Sequence, residues 1–235
     1  MPLAHKAGEE ALRIVEGSGD ILSRAWPYCV YGTTLYFMGS LDHAERFLLD
    51  SLTYSEKTSQ VGVEMSAAAH LGSLYFDMGE YKKAKDFVTI WIVSLESSRI
   101  YPSLANLARS YLARAQVHSK ELDVDLHGLF GYFEKNRLKY CEGQMARNIG
   151  DVMIHMDDDH MADAEIWIKK AIEADTRNGS RWYLATDHAL YADWFRNKGD
   201  RLGAKEQLTR AIVIFRECGA DGWVRKYEEE MGKLS

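Results

Sequence analysis

The sequence predicts an all-α protein, an α-α superhelix of about five helix-turn-helix units with a leading half-unit and a C-terminal capping helix. The first observation behind this is a spacing of 40 residues between Ala4, Ala44, Ala84, Val124, Ala164 and Ala204. The second is that apolar or small side chains follow these positions at four, seven and eight places, offsets that share one face of an α-helix. A fixed period of this length marks stacked units, none of which buries its apolar face alone. The third is composition. Three prolines in 235 residues, with 46% hydrophobic and 27% charged side chains, leave little room for a loop-rich or disordered chain.

Taken in order, residues 3–16 align with the second helix of a unit whose first helix is missing. Ala4, Ala7, Ala11, Leu12 and Val15 would then face an absent neighbour. The chain is therefore expected to be a segment of a longer protein, or to be covered by another chain at this end. In an isolated monomer that face should be exposed and recruit a partner or a second copy.

Five units follow near 22–60, 64–100, 102–138, 143–176 and 182–217, as one array over 1–235. Three first helices carry a small residue, a Met six places later and then a turn residue: Gly32, Met38, Gly39; Gly72, Met78, Gly79; and Gly150, Met156, Asp157. A left-handed backbone is cheap for such a residue at a helix end. The other two first helices are looser, built on Ala108 and Tyr111, and on Ala192, Phe195 and Gly199.

The second helices read Ala44, Leu48, Ser51; Ala84, Val88, Trp91; Ala164, Ile168, Ala171; and Ala204, Leu208, Ala211. The copy at Val124, with Gly128, Gly131 and Tyr132, is the weakest. Extra residues fall at 116–120 and 157–160, inter-helix positions where insertions cost little. A final helix at 221–234, capped by Asp221, should bury Trp223, Tyr227, Met231 and Leu234 and close the array.

The runs LYFMGSLDHAERFLLDSL, LYFDMGEYKKAKDF and ADWFRNKGDRLGAKEQLTRAI resemble the tetratricopeptide repeat, with small residue, aromatic, turn Gly and Ala in that family's order. The period exceeds the ~34 residues of the standard repeat. This longer repeat, with the ending ECGADGWVRKYEEEMGKL, is similar to the repeat regions of bacterial signalling ATPases, nucleotide cyclases and transcription activators. The resemblance implies a non-catalytic protein-interaction module within a larger signalling or regulatory protein. Its alternative is a small-molecule-sensing repeat domain, which needs a closed pocket around Arg109, Arg147, Asp151 and His155.

Several chemistries find no support. A phosphate-binding GxxxxGK[ST] string, HExxH, GxSxG and CxxC pairs do not occur. Gly17 and Gly19 form an ordinary turn. Cys29, Cys141 and Cys218 fit thiols in a reducing, cytoplasmic setting. Formal net charge is −6, without the basic cluster a nucleic-acid backbone demands. No run of about 20 apolar residues or signal-peptide core is present. His155, Asp157, Asp158, Asp159 and His160 gather possible ligands, but read more simply as a solvated acidic turn. No catalytic site, metal or cofactor is expected, and His155 with Asp151 lacks the nucleophile an acid-base pair would serve.

The functional expectation rests on the first helices, which in tetratricopeptide arrays line the concave groove. Early units place Tyr36 and Phe76 there, alongside Trp26, Val30, Thr33 and Phe37. Later units place Asn106, Arg109, Gln144, Arg147, Asn148, Asp151, His155 and Arg196. Guanidinium groups there suit carboxylate or phosphate recognition. Asn106, Arg109, Arg147 and Asn148 are thus expected to form an anionic anchor for a partner segment. The competing reading is ion pairing within the array, Arg147 with Asp151 or Arg196 with Asp193.

Overall fold

The computed structural model describes residues 2–98, 101–121 and 123–234. The helices α1 to α5 are Pro2–Ser18, Ala25–Met38, Leu41–Thr58, Val61–Asp77 and Tyr81–Ser98. Helix α6 is Pro102–His118, α7 Leu126–Glu134 and α8 Lys139–Met156. The last four, α9 to α12, are Met161–Asn178, Arg181–Asn197, Arg201–Cys218 and Asp221–Gly232. No strand occurs among the described residues. The all-α helical-repeat class predicted from the 40-residue period holds. Contacts divide the chain into two compact units, Met1–Ala108 and Arg109–Ser235, with the border inside α6.

In the first unit α2 packs along α3, α3 on α4, and α4 along α5. The recurring alanines are the reason these crossings are close: Ala44 and Ala84 are wholly buried. Facing them are glycines. A Cβ added at Gly32 would meet Leu48 Cγ at 2.8 Å, and one at Gly72 would meet Val88 Cγ2 at 2.6 Å. The helix pairs therefore approach at a distance only a glycine permits, and the turn glycines Gly39 and Gly79 close each first helix with positive φ.

Helix α1 differs from expectation. Leu12 and Val15 are buried, because α1 packs on α2. Gly8 is also buried, against the Tyr31 ring. The Tyr28 hydroxyl donates to Glu16 at 2.9 Å. The predicted upstream-facing set thus splits: Leu12 and Val15 help seal the first unit's own core, Ala11 is partly buried, and Ala4 and Ala7 remain exposed, as do Leu3 and Ile14 beside them.

The second unit repeats the scheme with α8 along α9 and α10 along α11. Ala164 and Ala204 are wholly buried, and a Cβ on Gly150 would meet Ile168 Cγ1 at 3.0 Å. Three details depart from the sequence reading. Val124 precedes its helix, which starts at Leu126 after Asp125 accepts the Gly128 N–H at 2.8 Å. Two glycines in a nine-residue helix keep α7 short. Asp157 is extended (φ −167°, ψ 170°), and a 3-10 turn, Asp158–His160, reverses the chain, so the extra residues replace the left-handed turn. Ala220 occupies the cap of α12 without a side-chain bond, and Asp221 lies in the first turn, where its charge opposes the helix dipole. Trp223 and Val224 are buried there, whereas Tyr227, Met231 and Leu234 are half-buried.

Candidate functional site

On the first helices, four positions lie six and two residues before, and one and five residues after, the small reference residue. This 4-3-4 spacing forms one stripe along a helix. In the first unit, α2 places Trp26, Val30, Thr33 and Phe37 on it. Trp26 and Val30 are 51% and 53% exposed. Thr33 and Phe37 are partly exposed. The stripe of α4 carries Ser66, His70, Ser73 and Asp77, all partly exposed. His70 lies edge-on to Phe37, with centroids 6.1 Å apart. The two expected apolar contacts sit deeper. Tyr36 and Phe76 are buried, the Tyr36 hydroxyl donating to Asp77 Oδ2 at 2.7 Å and Phe76 packing on Tyr81.

In the second unit the same stripe of α8 consists of Gln144, Asn148, Asp151 and His155. The first three are buried and only His155 is exposed. Helix α6 supplies their partners. The Tyr111 hydroxyl donates to Gln144 Oε1 at 3.0 Å, and Asn148 donates to Ser110 Oγ at 3.0 Å. Asp151 accepts from the Arg114 guanidinium and lies 3.1 Å from His118 Nε2. Burial would raise the Asp151 pKa, but Arg114 and the bonds from His118 and His155 hold it well below the usual carboxylate range.

Arg147 is not a solvent-facing anchor. It is 3% exposed and donates to Asp187 Oδ1 of α10 at 3.1 Å. Its guanidinium also lies over the Tyr183 ring and 4.0 Å from Asp175 Oδ2 of α9. Gly143 makes room for that carboxylate, since a Cβ there would run into it. Both Asp175 oxygens and Asp187 Oδ2 are buried without an N–H or O–H partner. Burial raises the pKa of both carboxyls, most strongly at Asp187. A proton shared between them would satisfy two of these three oxygens and leave one negative charge for one arginine.

Of the other predicted site residues, Asn106 belongs to the first unit and Arg109 to the second. Both are partly exposed, and Arg109 lies over the Tyr132 ring at 5.2 Å. Arg196 is exposed and pairs with Asp193 at 2.5 Å, the ion pair weighed as the competing reading. The sequence reading missed Ser110, Arg114 and His118. Their spacing of four residues along α6 was the available signal, a polar stripe that matches the one on α8. Asp175 and Asp187 gave no signal, because their meeting depends on how α9 and α10 cross α8.

A separate cleft of about 560 Å³ lies in the second unit, lined among others by Phe130, Phe133, Arg137, Trp167 and Lys170. It does not include the residues of the pocket expected around Arg147 and Asp151. The side chain of Asp158, one member of the acidic turn, lies outside the described residues. Asp157 bonds His160 instead, Oδ1 to Nδ1 at 2.6 Å.

Successive helix pairs with small residues at the crossings define a helical-repeat protein. A family model described as Tetratricopeptide repeat matches residues 66–88, from the stripe of α4 through the turn at Gly79 to Val88 of α5. The chain thus carries a tetratricopeptide repeat in its first unit. Such repeats are generally non-catalytic protein-protein interaction modules. No curated protein matches the chain. Among the described residues, no helix is long and apolar enough to cross a membrane.

Proposed function

We propose that the protein is a non-catalytic scaffold that binds a segment of a partner protein along its first helices, in the cytoplasm and within a larger signalling or regulatory system. The observation that carries this reading is the stripe of α2. Trp26 and Val30 are half-exposed on a helix whose remaining face is packed, and Phe37 continues the line. Apolar side chains at four- and three-residue steps match an amphipathic partner helix, which presents anchors at the same steps. Asn106, Arg109, His155 and Arg196 provide polar contacts at the edges of their own units. The buried Gln144, Arg147, Asn148 and Asp151 hold the second unit together and act on a partner only indirectly. The exposed outer side of α1, with Leu3, Ala7 and Ile14, is a second contact, for an upstream domain or a second copy.

A displayed library of helical peptides tests the reading. Peptides enriched on the wild-type protein should lose binding to Trp26→Arg and Val30→Asp variants whose circular dichroism is unchanged. A library that yields only binders indifferent to both substitutions overturns it. Light scattering of Ile14→Glu separates the α1 contact from that of α2.

A further inference from the structure

His118, Asp151 and His155 converge in a way that neither the ion-pair network nor partner binding requires. His118 ends α6, and Asp151 and His155 stand one turn apart on α8. Two imidazole nitrogens, His118 Nε2 and His155 Nδ1, approach the same carboxylate oxygen, Asp151 Oδ1, at 3.1 and 2.9 Å. One ligand atom from each of the three residues lies within 4.8 Å of the other two, and His155 Nδ1 also lies 2.9 Å from the Asp151 backbone oxygen. The rings themselves pack with centroids 3.9 Å apart. A metal is ligated by the neutral imidazole, so its binding would displace a proton wherever a ring carries one.

We propose that His118, Asp151 and His155 form a binding site for a divalent transition-metal cation, zinc being the best chemical match. Two imidazoles and one carboxylate are borderline-hard donors of the kind that hold zinc, with a fourth position left to water or to a partner's side chain. A tetrahedral zinc with bonds of about 2.0–2.2 Å sets its ligand atoms roughly 3.4 Å apart, so an imidazole must turn toward the others to close the set. Arg114 binds the other oxygen of Asp151 and so orients Oδ1 toward the rings, as outer residues do in metal centres. His155 gives the route of entry, its side chain being 33% exposed while that of Asp151 is 2% exposed. Asp193 of α10, paired with Arg196, also interacts electrostatically with both Asp151 and His155. The bound ion would tie the C-terminal end of α6 to that of α8.

This site is independent of the α2 stripe. Its test uses the chelator-treated full chain titrated with zinc chloride alone, followed by calorimetry and thermal melting. One equivalent should bind and raise the melting temperature, and His118→Ala and His155→Ala should each weaken binding at least ~10-fold. A His160→Ala control, which alters the exposed Asp157 pair instead, should bind as the wild type does. Cobalt substitution gives a readout that no loss of folding can mimic. A four-coordinate centre produces intense visible absorption in the wild type, which His155→Gln should abolish. No zinc uptake, or uptake unchanged by both histidine substitutions, or a cobalt spectrum indistinguishable from the aqueous ion, overturns the assignment.

Discussion

The stripe of α2 and the stripe of α8 occupy the same register of their repeats, yet one is surface and the other is core. On α2 it reads Trp, Val, Thr, Phe and faces outward, with Trp26 and Val30 about half-exposed. On α8 it reads Gln, Asn, Asp, His, and its first three members are buried under hydrogen bonds from α6. The usual assignment of apolar side chains to the interior and polar ones to the surface is reversed. The backbone period sets where a side chain points. Whether that direction meets water or a neighbouring helix depends on what the neighbour offers. Ser110, Tyr111 and Arg114 bond to Asn148, Gln144 and Asp151 on the polar stripe, which offsets most of the cost of burying it.

The sharpest way to break this contrast is at Arg147. Arg147→Met leaves Asp175 and Asp187 buried with no counter-charge, and breaking a buried pair in this way costs roughly 3–5 kcal/mol. Melting should shift sharply, and hydrogen exchange should speed up across α8, α9 and α10. If the double variant Arg147→Met, Asp187→Leu recovers stability, the loss belongs to the orphaned charge and not to packing. A shift no larger than that of a surface substitution would show that Arg147 is not the keystone of the second unit.

The first unit should break by sterics instead. Ala84→Phe overpacks the crossing of α4 and α5, where Ala84 is wholly buried. Denaturant unfolding should report a loss of roughly 1–3 kcal/mol. Tolerance of phenylalanine there would mean the crossing is looser than the Gly72–Val88 contact implies.

A third experiment uses pH to separate the two units. The folded-state pKa of Asp187 lies above its unfolded value because of burial. Its stabilising contribution is therefore fully present below the ordinary carboxylate range and declines as pH rises through the raised value. Stability measured across that window should decline in the wild type and flatten in Asp187→Asn. An identical slope in both would place the proton elsewhere.

The smallest stability effect is expected at the most functional positions. Trp26→Ala and Val30→Thr should change unfolding free energy by no more than about 0.5 kcal/mol, as exposed substitutions do, while weakening partner binding. A large loss of stability at either position would make the α2 stripe part of the core and remove its role as a contact surface.

By itself the sequence determined the all-α helical-repeat class and the close crossings of four helix pairs, α2 with α3, α4 with α5, α8 with α9 and α10 with α11. Alanine and glycine recur where two helices touch, and offsets of four, seven and eight on one face leave no other period to fit. It also supplied the register of the first-helix stripe, down to Trp26 on α2 and Asp151 on α8. It did not determine which polar residues on that stripe meet water. Arg147 and Asp151 look like groove residues in the sequence because periodicity reports direction along one helix. Burial instead depends on side chains 28 to 40 residues away, among them Tyr111, Arg114, Asp175 and Asp187. The covering of Leu12 and Val15 by α2 was also decided only in three dimensions, since an amphipathic helix carries no mark of which neighbour it will choose. Local pattern is written residue by residue. The solvation of a charge is a property of everything packed around it.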